Sequence, residues 1–247
     1  MKNIAIIPAR SGSKGLPDKN IKELNGHPLL YYSVKAAQES GLFSEIMVST
    51  DSEVYAEVSK SCGANVPFLR SKENSNDGSS SWDVVREVLA NYNSLGLEFD
   101  TVCLLQPTSP LRESKDIINA YGLLNEKEAD AITSVCECEH SPLWCMTLYN
   151  DHYLGDFRKS LADLPRQKLK QYYRFNGAIY IRKIEYIDNI IKVLDSKEYA
   201  FIMDRLSSVD IDTVEDFNYA KILANRGGKI LKPFGMLSVQ LSKRGCA

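Results

Sequence analysis

The stretch "NIAIIPARSGSKGLPDKN", residues 3–20, contains the pattern from which the fold prediction starts. Its first part, residues 3–9, is an apolar run with the length and composition of a buried β-strand. The rest collects glycine, proline, serine and charged residues, which indicates a loop. In open α/β sheets, ligands bind in the crevice beyond the carboxyl ends of the strands. We therefore expect this loop to border a ligand site.

Three basic residues, Arg10, Lys14 and Lys19, suit this loop to a polyanion. Arginine contacts phosphate through two parallel hydrogen bonds, and lysine contributes a point charge. Gly12 and Gly15 allow the backbone to approach a ligand closely. The loop therefore fits a triphosphate, with a solvated basic loop as the alternative. It contains neither the Walker A pattern nor the G-x-G-x-x-G dinucleotide pattern.

Length and composition indicate a globular protein of one large or two small domains. The chain has 247 residues, 44% of them hydrophobic, and a net charge of −2. This charge gives no general attraction to nucleic acid or to anionic lipid, so we expect neither as a partner. No apolar run reaches the roughly 18 residues of a membrane span, and the N-terminus does not resemble a signal peptide. The six cysteines lack a disulfide-framework spacing, so we expect a cytoplasmic protein with reduced thiols.

Strand-like and helix-like segments alternate along the chain. This order predicts an α/β fold with a mainly parallel sheet, helices on both faces and right-handed crossovers. We expect one domain over residues 1–228, with an inserted arm at about 137–175 and a C-terminal tail at 229–247. The predicted extended segments are 3–9, 45–50, 65–69, 100–105, 130–136, 177–182 and 199–203. The predicted helices are 28–40, 52–62, 80–94, 113–126, 184–194 and 214–225.

The motif "VDIDT" contains two aspartates, Asp210 and Asp212, two positions apart on an extended segment. This spacing places both carboxylates on one face. Two close carboxylates repel each other unless a cation lies between them, and Mg²⁺ typically uses one or two carboxylates together with substrate phosphates. A metal site is therefore one interpretation. Capping of the helix predicted from residue 214 is an equally good one, because Glu215 and Asp216 suit a first helical turn.

Two further strand ends carry polar side chains. In "LLQPTSPLR", Gln106 and Thr108 follow a buried strand and are placed to reach a base or a sugar. Arg112 would do the same, or it belongs to the start of the next helix. In "RFNGAIYIR", Asn176 precedes a strand, where it would bind a sugar or form a turn into the core. Neither motif decides between these alternatives by itself.

The chain resembles the CMP-sialic acid synthetases, cytidylyltransferases for acylneuraminate and related nine-carbon 2-keto acids. The resemblance covers residues 1–226 and depends on seven stretches in the family's order, since each alone would be weak evidence. These stretches are "IPARSGSKGLPDKNI", "VSTDS", "FLRSKENSNDGSSS", "LLQPTSPLR", "PRQ", "FNGAIYI" and "SVDIDTVEDF".

The resemblance implies a Rossmann-like nucleotidyltransferase fold and a reaction. The anomeric 2-hydroxyl of the sugar acid would attack the α-phosphate of CTP, releasing pyrophosphate and forming a CMP-sugar. The implied cofactor is Mg²⁺, and the implied assembly is a homodimer in which the arm completes the partner's site. Such an enzyme would work in the cytoplasm and supply lipopolysaccharide or capsule biosynthesis.

The resemblance also implies roles for individual residues. Nucleotide contacts are expected from Arg10, Ser13, Lys19, Asn20, Arg70 and Ser81. Sugar contacts are expected from Gln106, Tyr180 and Arg166, and the Mg²⁺ ligands are expected to be Asp210 and Asp212. The catalytic residues would be Lys19, Arg10 and Asp212.

Two positions depart from the family pattern. Trp144 in "HSPLW" stands where sialic acid enzymes often have lysine, and Phe175 in "RFNGAIY" stands where many have proline. Both fall on the expected sugar side, and a more apolar wall would suit a deoxy, acylated sugar such as a legionaminic-type acid. A cytidylyltransferase for the eight-carbon acid Kdo and a catalytically inactive nucleotide-sugar-binding protein are the competing hypotheses.

Overall fold

The computed structural model describes residues 1–13, 15–148, 152, 154, 170–187 and 196–226, and a six-stranded sheet forms its centre. The strands of this sheet are β1 (Asn3–Pro8), β4 (Phe43–Ser49), β5 (Thr101–Leu104), β6 (Ala131–Glu137), β7 (Tyr173–Lys183) and β8 (Glu198–Ile202). Their spatial order is β4-β1-β5-β7-β6-β8. Strand β7 runs antiparallel to both of its neighbours, and all other adjacent pairs are parallel. The prediction of a mainly parallel sheet is confirmed.

Among the described residues, five α-helices surround this sheet: α1 (Leu29–Ser40), α2 (Glu53–Ser61), α3 (Ser81–Ser94), α4 (Ser114–Glu126) and α5 (Val214–Arg226). Their ends follow local sequence signals. The Ser52 hydroxyl accepts the Tyr55 amide at the start of α2. Ser80 and Asp83 form a reciprocal capping box at the start of α3. Gly41, with φ of 65°, ends α1 in the left-handed conformation that favours glycine.

Helices cover both faces of the sheet because β1 is apolar on both sides. Ala5 and Ile7 pack in a core cluster with residues of α1, α2 and α4. Ile4 and Ile6 pack in a second cluster with residues of α3. A third cluster joins Phe217 of α5 to the start of α1. Among the described helices, none has the length and apolarity that a membrane span requires.

The structure differs from the sequence prediction in its local elements. Two short strands, β2 (Glu23–Leu24) and β3 (His27–Pro28), form an unpredicted hairpin closed by Asn25 and Gly26. Both turn residues have positive φ, as an Asn-Gly hairpin turn requires. Strand β7 begins at residue 173 instead of 177, because its first residues pair with β6.

Parts of other predicted segments fall outside the described residues. The helix predicted at 184–194 is a short 3₁₀ turn at Ile184–Tyr186, and residues 188–194 lie outside the description. Much of the predicted arm, residues 137–175, and the entire predicted tail, residues 229–247, also lie outside it.

Candidate active site

A cleft of about 530 Å³ lies at the carboxyl ends of β1 and β5. The basic loop after β1 predicted a ligand site at this edge of the sheet. We call it the strand-end cleft. Its lining includes most of the predicted site residues, namely Arg10, Ser13, Lys19, Asn20, Arg70, Ser81, Gln106, Asp210 and Asp212.

The loop that follows β1 is held at both of its ends. The Ser11 amide and hydroxyl donate to the two carboxylate oxygens of Asp51, at 2.9 and 3.1 Å. The Asn20 side chain is buried and donates to the Arg10 carbonyl oxygen at 3.0 Å. Gly15 packs so closely that a Cβ there would lie 2.6 Å from the Asp212 carbonyl oxygen. These contacts fix the backbone around Arg10 and Ser13, while Lys14 lies outside the described residues.

Lys19 connects this loop to the "VDIDT" segment. Its ammonium donates to the Ile211 carbonyl oxygen at 2.7 Å and to Asp212 Oδ1 at 3.0 Å. The Lys19 side chain is 13% exposed, whereas that of Asp212 is 77% exposed. The partly buried lysine thus directs its charge into the cleft beside an accessible carboxylate.

Arg70 and Ser81 lie on the α3 side of the cleft. The Arg70 guanidinium is buried and donates to the Ser49 hydroxyl at 3.0 Å and to the Ser49 carbonyl oxygen at 2.5 Å. Burial lowers the pKa of Arg70 to about 10, so the group remains charged at neutral pH. Ser81 is the first residue of α3, where unpaired amides and the helix dipole favour negative charge.

Asp210 has the chemistry of an unsatisfied metal ligand. Its Oδ1 is buried and has no hydrogen-bond partner among the described residues. Burial raises the pKa of Asp210; the charge of Asp212 adds to this, and the Thr108 hydrogen bond and the charges of Lys19 and Arg174 oppose it. A cation between Asp210 and Asp212 would satisfy the oxygen and relieve the repulsion, so the residues present fit Mg²⁺.

The helix-capping alternative for Asp212 is not what the structure shows. The Asp216 amide donates to the Thr213 hydroxyl at 3.2 Å, and the Thr213 amide donates to Asp216 Oδ2 at 2.9 Å. Thr213 and Asp216 therefore form the cap of α5. The Asp212 carboxylate faces Lys19 and the cleft instead.

The predicted sugar residues are only partly brought together. Gln106 lines the cleft, and a Cβ on Gly177 would lie 2.6 Å from its Oε1. Tyr180 is half-buried and does not line the cleft; its ring packs edge-on against Trp82, with centroids 6.5 Å apart. Arg166 lies outside the described residues.

Asn176 and Arg112 have structural roles, which decides the alternatives that the sequence left open. Both are buried. The Asn176 amide donates to the Ser208 hydroxyl at 2.8 Å, and its Oδ1 accepts the Ser134 hydroxyl at 2.6 Å. The Arg112 guanidinium donates to the Ala178 carbonyl oxygen at 2.9 Å. Both side chains make internal hydrogen bonds that attach β7 to neighbouring segments.

Asp51, Asp77 and Gly177 were not predicted as site residues. Asp51 follows β4 at the same sheet edge as Arg10, so its strand-end position was a usable signal. Asp77 pairs with Arg10, a contact between segments that no local pattern predicts. Gly177 has φ of 74° and lies next to Gln106, which only the folded structure reveals.

The chain is similar in sequence to known cytidylyltransferases. The sequence profile described as cytidylyltransferase matches residues 4–224. The chain is 40% identical over 219 residues to an N-acylneuraminate cytidylyltransferase of Streptococcus agalactiae serotype V, covering 88% of this chain and 52% of that protein. It thus spans about half the length of that relative. It is 33% identical to the CMP-N,N'-diacetyllegionaminic acid synthase of Legionella pneumophila, covering 88% of this chain and 94% of that one.

A solved structure shares the fold at low sequence identity. The structure of CMP:2-keto-3-deoxy-manno-octonic acid synthetase complexed with CTP superposes with a TM-score of 0.68 at 15% identity. The match covers 92% of this chain and all of that one. This likeness shows a nucleotidyltransferase fold with helices around a mixed sheet. The family profile spans nearly the whole chain, and the chain belongs to the cytidylyltransferase family.

Proposed function

We propose that this protein transfers CMP from CTP to the anomeric hydroxyl of a nine-carbon 2-keto sugar acid and releases pyrophosphate. The observation that carries the proposal is the charge arrangement of the strand-end cleft. Arg10, Lys19 and Arg70 provide cations at strand and loop ends, and Asp210 and Asp212 provide carboxylates beside them. Such a site neutralises a triphosphate while holding a metal next to the reacting phosphate.

The nucleotide would lie along the loop after β1. Arg10, Ser13 and Lys19 would contact the phosphates, and Arg70 and Ser81 would contact the cytidine. Asn20 would support this surface through its hydrogen bond to the Arg10 carbonyl oxygen. Lys19 would stabilise the charge that develops when the bond between the α-phosphorus and the leaving pyrophosphate breaks.

Asp210 and Asp212 would hold Mg²⁺. The buried, unpaired Asp210 Oδ1 and the accessible Asp212 carboxylate are the supporting observations. When bound, the metal would supply Lewis-acid polarisation of the phosphate oxygens. Lys19 would orient the Asp212 carboxylate, since its ammonium already donates to Asp212 Oδ1.

The acceptor is proposed to be a sialic or legionaminic-type acid. Two relatives of this chain act, by name, on N-acylneuraminate and on N,N'-diacetyllegionaminic acid. Gln106 would bind the sugar from the loop after β5, and Tyr180 and Arg166 would be further contacts. Trp144 and Phe175 are exposed, the latter by 71%, and would add apolar surface near the acyl groups.

We also propose a homodimer in which the inserted arm brings Arg166 to the partner's cleft. The protein would work in the cytoplasm, where CTP is available, and would supply activated sugars for lipopolysaccharide or capsule synthesis.

Pyrophosphate release tests the proposed reaction directly. The purified protein is mixed with CTP and Mg²⁺, and with N-acetylneuraminic, legionaminic, pseudaminic or Kdo acid in parallel. Release with a nine-carbon acid that EDTA abolishes and Mg²⁺ restores supports the proposal. Release with Kdo alone favours the eight-carbon alternative, and CTP binding without release for any acid favours an inactive binding protein.

A further inference from the structure

Arg10, the first basic residue of the loop after β1, forms an ion pair with a carboxylate of the same cleft. Its Nη2 lies 2.7 Å from Asp77 Oδ1. Both residues line the strand-end cleft, and their side chains are 30% and 46% exposed. A carboxylate therefore lies where the proposed function places a phosphate group of CTP.

Asp77 belongs to a structured loop, residues 71–80, that crosses one side of the cleft. Glu87 of α3 holds the first part of this loop. Its carboxylate accepts the Ser71 amide at 2.7 Å and the Ser71 hydroxyl at 2.8 Å, and it also accepts the Asn74 side chain. Helix α3 thereby fixes the position of the first part of this loop.

The tip of the loop is closed by its own hydrogen bonds. The Gly78 amide donates to Asn76 Oδ1 at 2.8 Å, and the Ser79 hydroxyl donates to the Glu73 carbonyl oxygen at 2.8 Å. Each bond joins a residue before Asp77 to a residue after it in the chain. They hold the backbone that carries the carboxylate, so the contact with Arg10 is a property of the folded loop.

We propose that Asp77 sets the affinity of the phosphate site by occupying Arg10 in place of a phosphate, and that it returns to Arg10 when pyrophosphate leaves. This inference rests on the proposed function. Asp77 thus sets affinity: a ligand that engages Arg10 Nη2 displaces a carboxylate.

The balance of charges makes this exchange reversible. A triphosphate carries more negative charge than one carboxylate and offers several oxygens to the guanidinium. It therefore displaces the Asp77 carboxylate from Arg10. An ion pair with this exposure is weak, so the competition costs only a few-fold in affinity. After the α–β bond breaks, pyrophosphate is a separate ligand, and the returning carboxylate lowers its residence on Arg10.

The test compares Asp77→Asn with Glu73→Gln. Both substitutions remove one negative charge from the same loop, but Glu73 is exposed and does not line the cleft. Binding of CTP and of inorganic pyrophosphate is measured by titration calorimetry with Mg²⁺ at low and high salt. Asp77→Asn should tighten both ligands by about two- to fivefold at low salt, with a smaller effect at high salt. Glu73→Gln should change neither, and Asp77→Glu should restore the wild-type affinity.

Unchanged or weaker binding in Asp77→Asn, with a wild-type melting temperature, would overturn the inference. Equal tightening in Glu73→Gln would also overturn it, because the effect would then belong to the general field of the loop. Failure of the proposed function has a different signature. In that case the wild type releases no pyrophosphate with any nine-carbon acid, whereas loss of the inference alone leaves wild-type pyrophosphate release intact.

Discussion

Lys19 and Asp212 are 193 positions apart in the chain, and the Lys19 ammonium lies 3.0 Å from Asp212 Oδ1. This contact joins the loop after the first strand to the segment before the last described helix. The same ammonium donates to the Ile211 carbonyl oxygen, which fixes its direction. The proposed phosphate-binding cation and the proposed metal-binding carboxylate are therefore held as one unit.

Replacement of this lysine tests its proposed role in charge stabilisation. Lys19→Ala should lower kcat by about 100-fold or more, the usual cost of removing a group that stabilises transition-state charge. Lys60→Ala is the control, since Lys60 pairs with Glu57 on the exposed surface of α2. Steady-state pyrophosphate release checks the prediction. Equal rates for Lys19→Ala and wild type would remove Lys19 from the mechanism.

The close approach of Gly15 to Asp212 predicts an effect of a single methyl group. Gly15→Ala should displace the loop or the Asp212 carbonyl, because its Cβ would lie 2.6 Å from that oxygen. We expect CTP binding to weaken at least tenfold. Gly12→Ala is matched in loop and chemistry, but its Cβ meets nothing within 4 Å, so it should bind CTP normally. Titration calorimetry distinguishes the two, and equal affinities would contradict the prediction.

Gly177 predicts a separate effect on the acceptor side. Its φ is 74°, and a Cβ would lie 2.6 Å from Gln106 Oε1. Gly177→Ala should move the Gln106 side chain and raise the KM for the sugar acid several-fold, with a smaller change in the KM for CTP. Left-handed backbone also costs about 1–2 kcal/mol for a non-glycine residue.

Gly96→Ala separates the two causes. Gly96 has a similar φ of 76°, but its Cβ would meet nothing within 4 Å. Both variants should lose comparable stability in thermal unfolding, and only Gly177→Ala should change the acceptor KM. An unchanged acceptor KM in Gly177→Ala would mean that Gln106 does not contact the sugar.

Neighbouring residues specify some elements of this fold, whereas other elements depend on contacts between distant parts of the chain. The first strand, the caps at Ser52 and Ser80, and the end of α1 at Gly41 follow from neighbouring residues, and all could be predicted. The antiparallel direction of β7 could not, because an apolar strand has the same periodicity in both directions. Direction depends on the connection between β6 and β7, which no local pattern specifies.

The same distinction applies to the site. The basic loop and the aspartate pair were visible because each is a compact motif. Whether Asp212 capped α5 or faced the cleft was undecided, since Thr213 and Asp216 are also capping residues. The structure decides this by pairing Thr213 with Asp216. Asp77 and Gly177 were missed because their importance lies in contacts with Arg10 and Gln106, which are distant in sequence.

Asp210 predicts opposite effects of one substitution on stability and on activity. Burial raises the pKa of its carboxyl group, so the folded state binds a proton more readily than the unfolded state. Stability therefore falls as pH rises from the ordinary carboxyl range through this raised pKa. In EDTA at pH 7, Asp210→Asn should raise the melting temperature by about 2–4 °C, which is about 1 kcal/mol for a chain of this size. The same variant should lose Mg²⁺-dependent pyrophosphate release.

Asp130→Asn provides the control with the opposite sign. Burial opposes its ionisation, but the Lys197 amide and the Lys183 ammonium, each donating at 3.0 Å, hold the pKa of Asp130 below its usual range. The stabilisation of the folded state by the Asp130 carboxylate is therefore present at neutral pH and is lost as pH falls through the folded-state pKa. Asp130→Asn should melt below wild type at pH 7, and this deficit should shrink towards acid pH. If Asp210→Asn also melted below wild type in EDTA, the Asp210 carboxylate would be stabilised by the protein alone, and its assignment as a ligand awaiting a cation would be wrong.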